Sequence, residues 1–198
     1  GVERILPPNW RMNAFLIVDL AKFKAAGVVP DYVPEFNHGY SWAYELWMNE
    51  QSSDYYRRHL LLHEGTHGFM NTLLGGCGPP WYMEGNAELQ GTHRWQDGKL
   101  TLGFLPRSRQ EVPNLGRVQL VQEAAAAGRL KAVGDIVNDA VRGYFDNESY
   151  AWCWAFATFL DRHPRYQSRF RALQKQVRNL KFNDEFRKTF YADASQLG

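Results

Sequence analysis

His63-Glu64-Gly65-Thr66-His67 constrains this chain more than any other stretch. Two imidazoles at i and i+4 share one face of a helix and can reach one ion, whereas on a strand the same residues would not converge. The surroundings suit a buried helix: Leu60, Leu61, Leu62 and Phe69 flank the motif, Ser53 or Asp54 offers an N-cap, and Gly75-Gly76 offers a stop. One helix over residues 53–74 is therefore predicted. With six His and eleven Glu in 198 residues, the string H-E-x-x-H arises by chance about 0.01 times. The competing reading is an ordinary helix that carries two histidines. Gly65 counts against it, because glycine inside a helix costs about 1 kcal/mol relative to alanine. Its absent side chain would let another backbone or a ligand approach.

Neutral protein ligands on zinc lower the pKa of a bound water to roughly 7. Glu64, about a quarter-turn from the ligand face, is placed to take that proton as general base. A tetrahedral catalytic ion needs a third protein ligand and an open position. Glu84 supplies it, with sixteen residues between it and His67, at the start of a second helix over about 81–93, returned by the loop Cys77-Gly-Pro-Pro80. Glu88, one turn further on the same face, can accept the outer N–H of a ligating histidine. The alternative is that both are exposed helix charges.

H-E-x-x-H followed by Trp81-Tyr-Met-Glu84-Gly85-Asn-Ala87-Glu88 resembles the gluzincin metallopeptidases, most closely the bacterial peptidase-MA-like domains and, in its logic, the zinc aminopeptidases. The resemblance implies a zincin-like α+β fold with one zinc per chain. It implies His63, His67 and Glu84 as ligands and Glu64 as base. Thermolysin-like enzymes carry an acid four residues beyond the glutamate ligand that orients a ligating histidine, and Glu88 matches it. Ser149-Tyr150-Ala151-Trp152 resembles the aminopeptidase segment whose tyrosine stabilises the oxyanion, with Tyr150 66 residues after Glu84. Tyr150 can instead be a helix-start residue packed by its ring, and Tyr144 is a second candidate. The resemblance is specific over residues 60–93 and weaker over 150–160. The aminopeptidase G-x-M-E-N strand is absent, since the corresponding stretch reads Gly39-Tyr-Ser-Trp-Ala-Tyr-Glu-Leu-Trp47, so specificity for a free amino terminus is not supported. That stretch could still pair with an extended peptide. The third histidine of metzincins is also missing, since Gly68-Phe-Met-Asn-Thr-Leu73 follows the motif.

Other residues constrain less. His59 shares the ligand face, but a fourth protein ligand would close the site, so it reads as an outer partner or packing. His93 reads as a surface or capping residue, His163 as a helix-end residue, and His38 as an undecided loop residue near the cleft. Trp42, Tyr44, Trp47 and Trp81 are candidates to line the cleft. Cys77 and Cys153 permit one disulfide or two free thiols.

Around the motifs, residues 12–18 read as a strand, Asp19 as the cap of a short helix through Ala26, and 39–48 as a second strand. Asp97-Gly98 is a hairpin turn signal inside 95–103. From Gly116 on the pattern is helical, with Pro164 dividing an apolar helix at 147–162 from a basic one at 165–178. A small N-terminal mixed sheet on the motif helix (about 1–95) and a hairpin with a helical half (about 96–198) follow as one catalytic domain. With 44% hydrophobic and 15% aromatic residues, the chain can build a core. A net charge of +2 advertises no field to nucleic acid. Nine Lys/Arg against Asp184 and Glu185 over residues 162–188 read as a solvated helix face or a surface for an acidic partner. No apolar run is long enough to span a bilayer. No signal peptide is visible, and a lean to an exported compartment rests on the resemblance alone.

The sequence therefore points to a zinc peptidase acting on peptide or protein, on internal bonds more than at the amino terminus. An inactive binding scaffold, or a zinc hydrolase of a non-peptide amide or ester such as cell-wall material, are the alternatives. Retention of Glu64 and all three ligands argues against the scaffold.

Overall fold

The computed structural model describes residues 6–108, 111, 116–139 and 146–194; Tyr144 lies outside them. It is an α+β structure, with a three-stranded sheet and first helices ahead of a helical half. Strand β1 (Asn13–Ile17) leads into α1 (Leu20–Ala25), where Asp19 accepts a bond from the Lys22 N–H and Gly27 closes the helix at φ +70°. Strands β2 (Gly39–Trp42) and β3 (Glu45–Asn49) follow. Residues 39–48 are thus a hairpin and not the single strand expected. The break falls at Ala43, whose φ of +50° turns the chain. None of the residues that ordinarily signal such a turn is present there.

The sheet runs β1-β3-β2, with β1 parallel and β2 antiparallel to β3. Alternation along β3 sorts its residues between two layers. Trp47 faces Ile17, Val29 and Val33, stacks on Phe15 and Tyr40, and donates its indole N–H to Val28 O at 2.7 Å. Leu46 and Met48 face Leu60 on the motif helix.

That helix, α2 (Asp54–Phe69), begins where Ser53 Oγ accepts the Tyr56 N–H. Its extension to Leu74 is a π-helical turn, Met70–Leu74, closed by Gly75 at φ +78°. Helix α3 (Pro80–Gly91) starts with proline at its first position. The hairpin β4 (Arg94–Gln96) and β5 (Lys99–Thr101) turns through Asp97 and Gly98, both at positive φ.

Helices α4 (Gly116–Ala126), α5 (Val133–Asp139) and α6 (Asn147–Arg162) follow, with Asp146 capping α6 through Ser149 N. His163 is the C-cap of α6, the helix-end position expected of it. The basic segment is shorter than predicted: α7 (Gln167–Ala172) passes into a 3₁₀ turn, Leu173–Gln176, before α8 (Phe182–Ala194). Much of its charge is spoken for, since Arg171 pairs with Asp161, Arg187 with Asp184 and Lys188 with Glu185. No helix among the described residues is long and apolar enough to cross a membrane.

The main core joins α3 to α6 and α8. Trp81 packs on Phe156 and Phe186, and Tyr82 on Phe170 and Phe182. Helices α3 and α6 meet at Gly85, where an added Cβ would lie 2.8 Å from Cys153 O. This close approach holds Glu84 and Tyr150 on one packed unit.

Candidate metal centre

Three side chains converge between α2 and α3. His63 Nε2 and His67 Nε2 lie 3.1 Å apart, and Glu84 Oε2 stands 3.2 Å from the first and 3.4 Å from the second. Donors held about 2.0–2.2 Å from a tetrahedral ion are separated by about 3.3–3.6 Å, so the triangle is close to the size such an ion requires. All three residues are buried, and Glu84 Oε2 has no hydrogen-bond partner. A buried carboxylate oxygen left without a bond is costly unless something else satisfies it. His63, His67 and Glu84 thus form a group that could hold a metal ion.

The electrostatics agree. Burial alone would lower the pKa of His63, yet the carboxylates of Glu84 and Glu88 lift it to about 10. Burial would raise Glu84, yet the two imidazoles bring it down to about 2. The metal-free cluster therefore gathers anionic oxygens around a proton that a cation would displace.

Glu88 is 1% exposed, so it is no surface charge. Its Oε1 lies 3.3 Å from His63 Nδ1, an ion-pair distance without hydrogen-bond alignment, and its Oε2 lies 3.6 Å from His59 Nε2. Arg117, on α4, donates Nε to Oε2 at 2.9 Å and Nη2 to Oε1 at 2.8 Å. Nothing in the sequence singles out Arg117, and no spacing rule finds it, because it reaches Glu88 from 29 residues away. His59, His63 and Glu88 also lie close enough for an ion. Both Glu88 oxygens already accept from Arg117, so that group is a support.

His59, expected as an outer partner or as packing, is buried beside Glu88 and stacked on Tyr56 with 5.7 Å between ring centres. Gly91 leaves it room, since a Cβ there would fall 2.9 Å from His59 Cε1. Glu64 is buried and lies against β2, where a Cβ on residue 39 would fall 2.7 Å from its Oε1. Tyr150 sits in the first turn of α6, its ring centre 6.3 Å from that of His63. Burial, then the charges of Glu84 and Glu88, raise its pKa. Its hydroxyl is therefore a donor over the whole neutral range.

Several expectations fail. Trp47 and Trp81 do not line the cleft; both are 0% exposed core residues, the latter donating to Asn183 Oδ1 at 2.9 Å. Trp42 and Tyr44 are exposed at the hairpin. His93 is not at the surface, but it does cap the end of α3. It is fully buried beyond α3, stacked on Tyr55, giving its Nδ1 proton to Gly91 O and accepting from Arg58 Nε. Among the described residues nothing lies within 4 Å of a Cβ built on Gly65, so none of their backbone exploits that glycine. Cys77 and Cys153 are free thiols whose pKa values burial pushes up to about 11 and about 12. His38, undecided from sequence, stands exposed just before β2, edge-on to Tyr56.

Comparison of the chain with protein-family profiles, with characterised proteins and with solved structures returns no match.

Proposed function

We propose that the chain is a zinc-dependent peptidase of zincin-like fold, cleaving extended peptides at internal bonds. The observation that carries this reading is the 3.1–3.4 Å triangle of His63 Nε2, His67 Nε2 and Glu84 Oε2. Two nitrogens and one carboxylate oxygen suit zinc at a catalytic site with an open position. When bound, zinc supplies a Lewis acid for the scissile carbonyl and makes water acidic enough to ionise near neutral pH.

The chain's own residues supply the rest. Glu64, buried against β2, takes the proton from the attacking water and passes it to the leaving amine. Tyr150, held neutral, donates its O–H to the oxygen that gains charge in the transition state. Glu88 and Arg117 keep His63 in place.

Strand β2 is an edge of the sheet. Asn49 donates its N–H to His38 O at 2.8 Å, which sets the alternation: Tyr40 and Trp42 turn their backbone groups to β3, while Gly39 and Ser41 turn theirs outward. A peptide pairing with that outer edge would run past Glu64, which supports cleavage within a chain.

The test pairs metal content with cleavage of an unstructured protein, for wild type and Glu64→Gln. One zinc per chain in both, with cleavage lost by about 10²-fold or more in the variant, is the expected result. Wild type purified without chelator and supplied with zinc that still binds none would overturn the reading.

A further inference from the structure

Arg117 touches two parts of the site at once. Its guanidinium grips both oxygens of Glu88 at 2.8 and 2.9 Å, and its Cζ stands 5.1 Å from the centre of the Tyr150 ring. Its third nitrogen reaches Asn147 O, in the first turn of α6, at 3.4 Å. One side chain on α4 therefore bridges α3 and α6. We infer that Arg117 is a positioning residue that fixes the Glu88 carboxylate behind His63 and, through the Tyr150 ring, the start of α6 beside it. The inference rests on the peptidase reading and deepens it.

The geometry requires such a residue. Glu88 Oε1 accepts from Arg117 and stands 3.3 Å from His63 Nδ1, so the orientation of the carboxylate sets the charge that His63 faces. A two-pronged donor fixes that orientation, and a point charge does not. Arg117 also settles which of two groups can take an ion. By holding both Glu88 oxygens it withdraws that carboxylate from the cluster with His59 and His63, leaving His63, His67 and Glu84 as the set with an unsatisfied oxygen.

The experiment measures zinc affinity by competition with a chromophoric chelator in wild type, Arg117→Met, Arg117→Lys, Glu88→Gln and the double variant Glu88→Gln/Arg117→Met. Absorption spectra of the cobalt-substituted proteins report the ligand geometry. Arg117→Met is expected to weaken zinc by about 10- to 100-fold, the usual range for an outer partner of a ligating histidine, and to shift the cobalt bands. Arg117→Lys should restore only part of the affinity. In the Glu88→Gln background the arginine has no carboxylate to hold, so the double variant should bind zinc as Glu88→Gln does. A folded Arg117→Met with wild-type affinity and spectrum overturns the inference. Should Arg117→Met fail to fold, a further tenfold loss in the double variant relative to Glu88→Gln does the same. Wild type that takes up no zinc overturns the peptidase reading itself, a result distinct from either.

Discussion

The carboxylate of Glu64 fills the space that a side chain at position 39 would need: a Cβ there would meet Glu64 Oε1 at 2.7 Å and Cγ at 2.8 Å. The edge strand thus sets the position of the proposed base as well as offering its own backbone. Gly39→Ala should push Glu64 off its position while leaving His63, His67 and Glu84 untouched. Displacing a reacting group by about 1 Å can cost about 10²-fold in rate. The expected outcome is a fall in kcat of that order with unchanged zinc content, checked by steady-state kinetics and elemental analysis on the same preparation.

Tyr150→Phe removes one donor and little volume. If the hydroxyl holds the developing oxyanion, kcat should drop by about 10²- to 10³-fold with KM and zinc content near wild type. Unchanged kcat would leave Tyr150 as a packing residue beside His63 and Arg117.

The pH behaviour follows from two opposite shifts. In the metal-free protein the elevated His63, at about 10 against 6.5, stabilises the fold fully below pH 6.5, and this is lost as pH rises through about 10. The depressed Glu84, at about 2 against 4.5, stabilises it above pH 4.5, and this is lost as pH falls through about 2. Both contributions are whole only between 4.5 and 6.5. Zinc must displace the His63 proton, so apparent affinity should climb by about tenfold per pH unit from there toward 10. Calorimetry at pH 7 in buffers of different ionisation enthalpy should register about one proton released per zinc bound.

Gly85→Ala tests the contact of α3 with α6. The new Cβ would lie 2.8 Å from Cys153 O and 3.0 Å from the Ala157 Cβ, with backbone on one side that cannot swing away. Overpacking of this kind costs about 1–3 kcal/mol. Thermal or urea unfolding should show that loss, and zinc affinity should weaken with it, because Glu84 and Tyr150 ride on the two helices being forced apart.

What the sequence disclosed was local. Asp19, Ser53 and Gly75 mark helix ends because caps act within a few residues, and Asp97-Gly98 marks its turn for the same reason. The convergence of His63 and His67 was legible because i,i+4 spacing is itself geometry, and Glu84 because the loop Cys77–Pro80 returns a second helix toward them. Arg117 was not, because its bond to Glu88 depends on how α4 lies across α3. Trp47 and Trp81 misled because an aromatic residue serves equally as core or as cleft wall, and only the packing of neighbours decides. The turn at Ala43 left no trace, since its conformation is held from outside by Asn13, which donates its N–H to Tyr44 O at 2.8 Å.

That outside hold separates the two hairpins by what drift they tolerate. The tip at Asp97-Gly98 stands clear, with nothing within 4 Å of a Cβ on Gly98, so extra residues there would extend into water. The tip at Ala43-Tyr44 is bonded to the start of β1, and Ala43 O lies 3.4 Å from where a Cβ on Gly68 would sit, one residue after His67. An insertion at this second tip would have to lift the turn off both the sheet and α2. Of two exposed turns that look equally free, lineages carrying this domain should vary the length of one and keep the other at two residues.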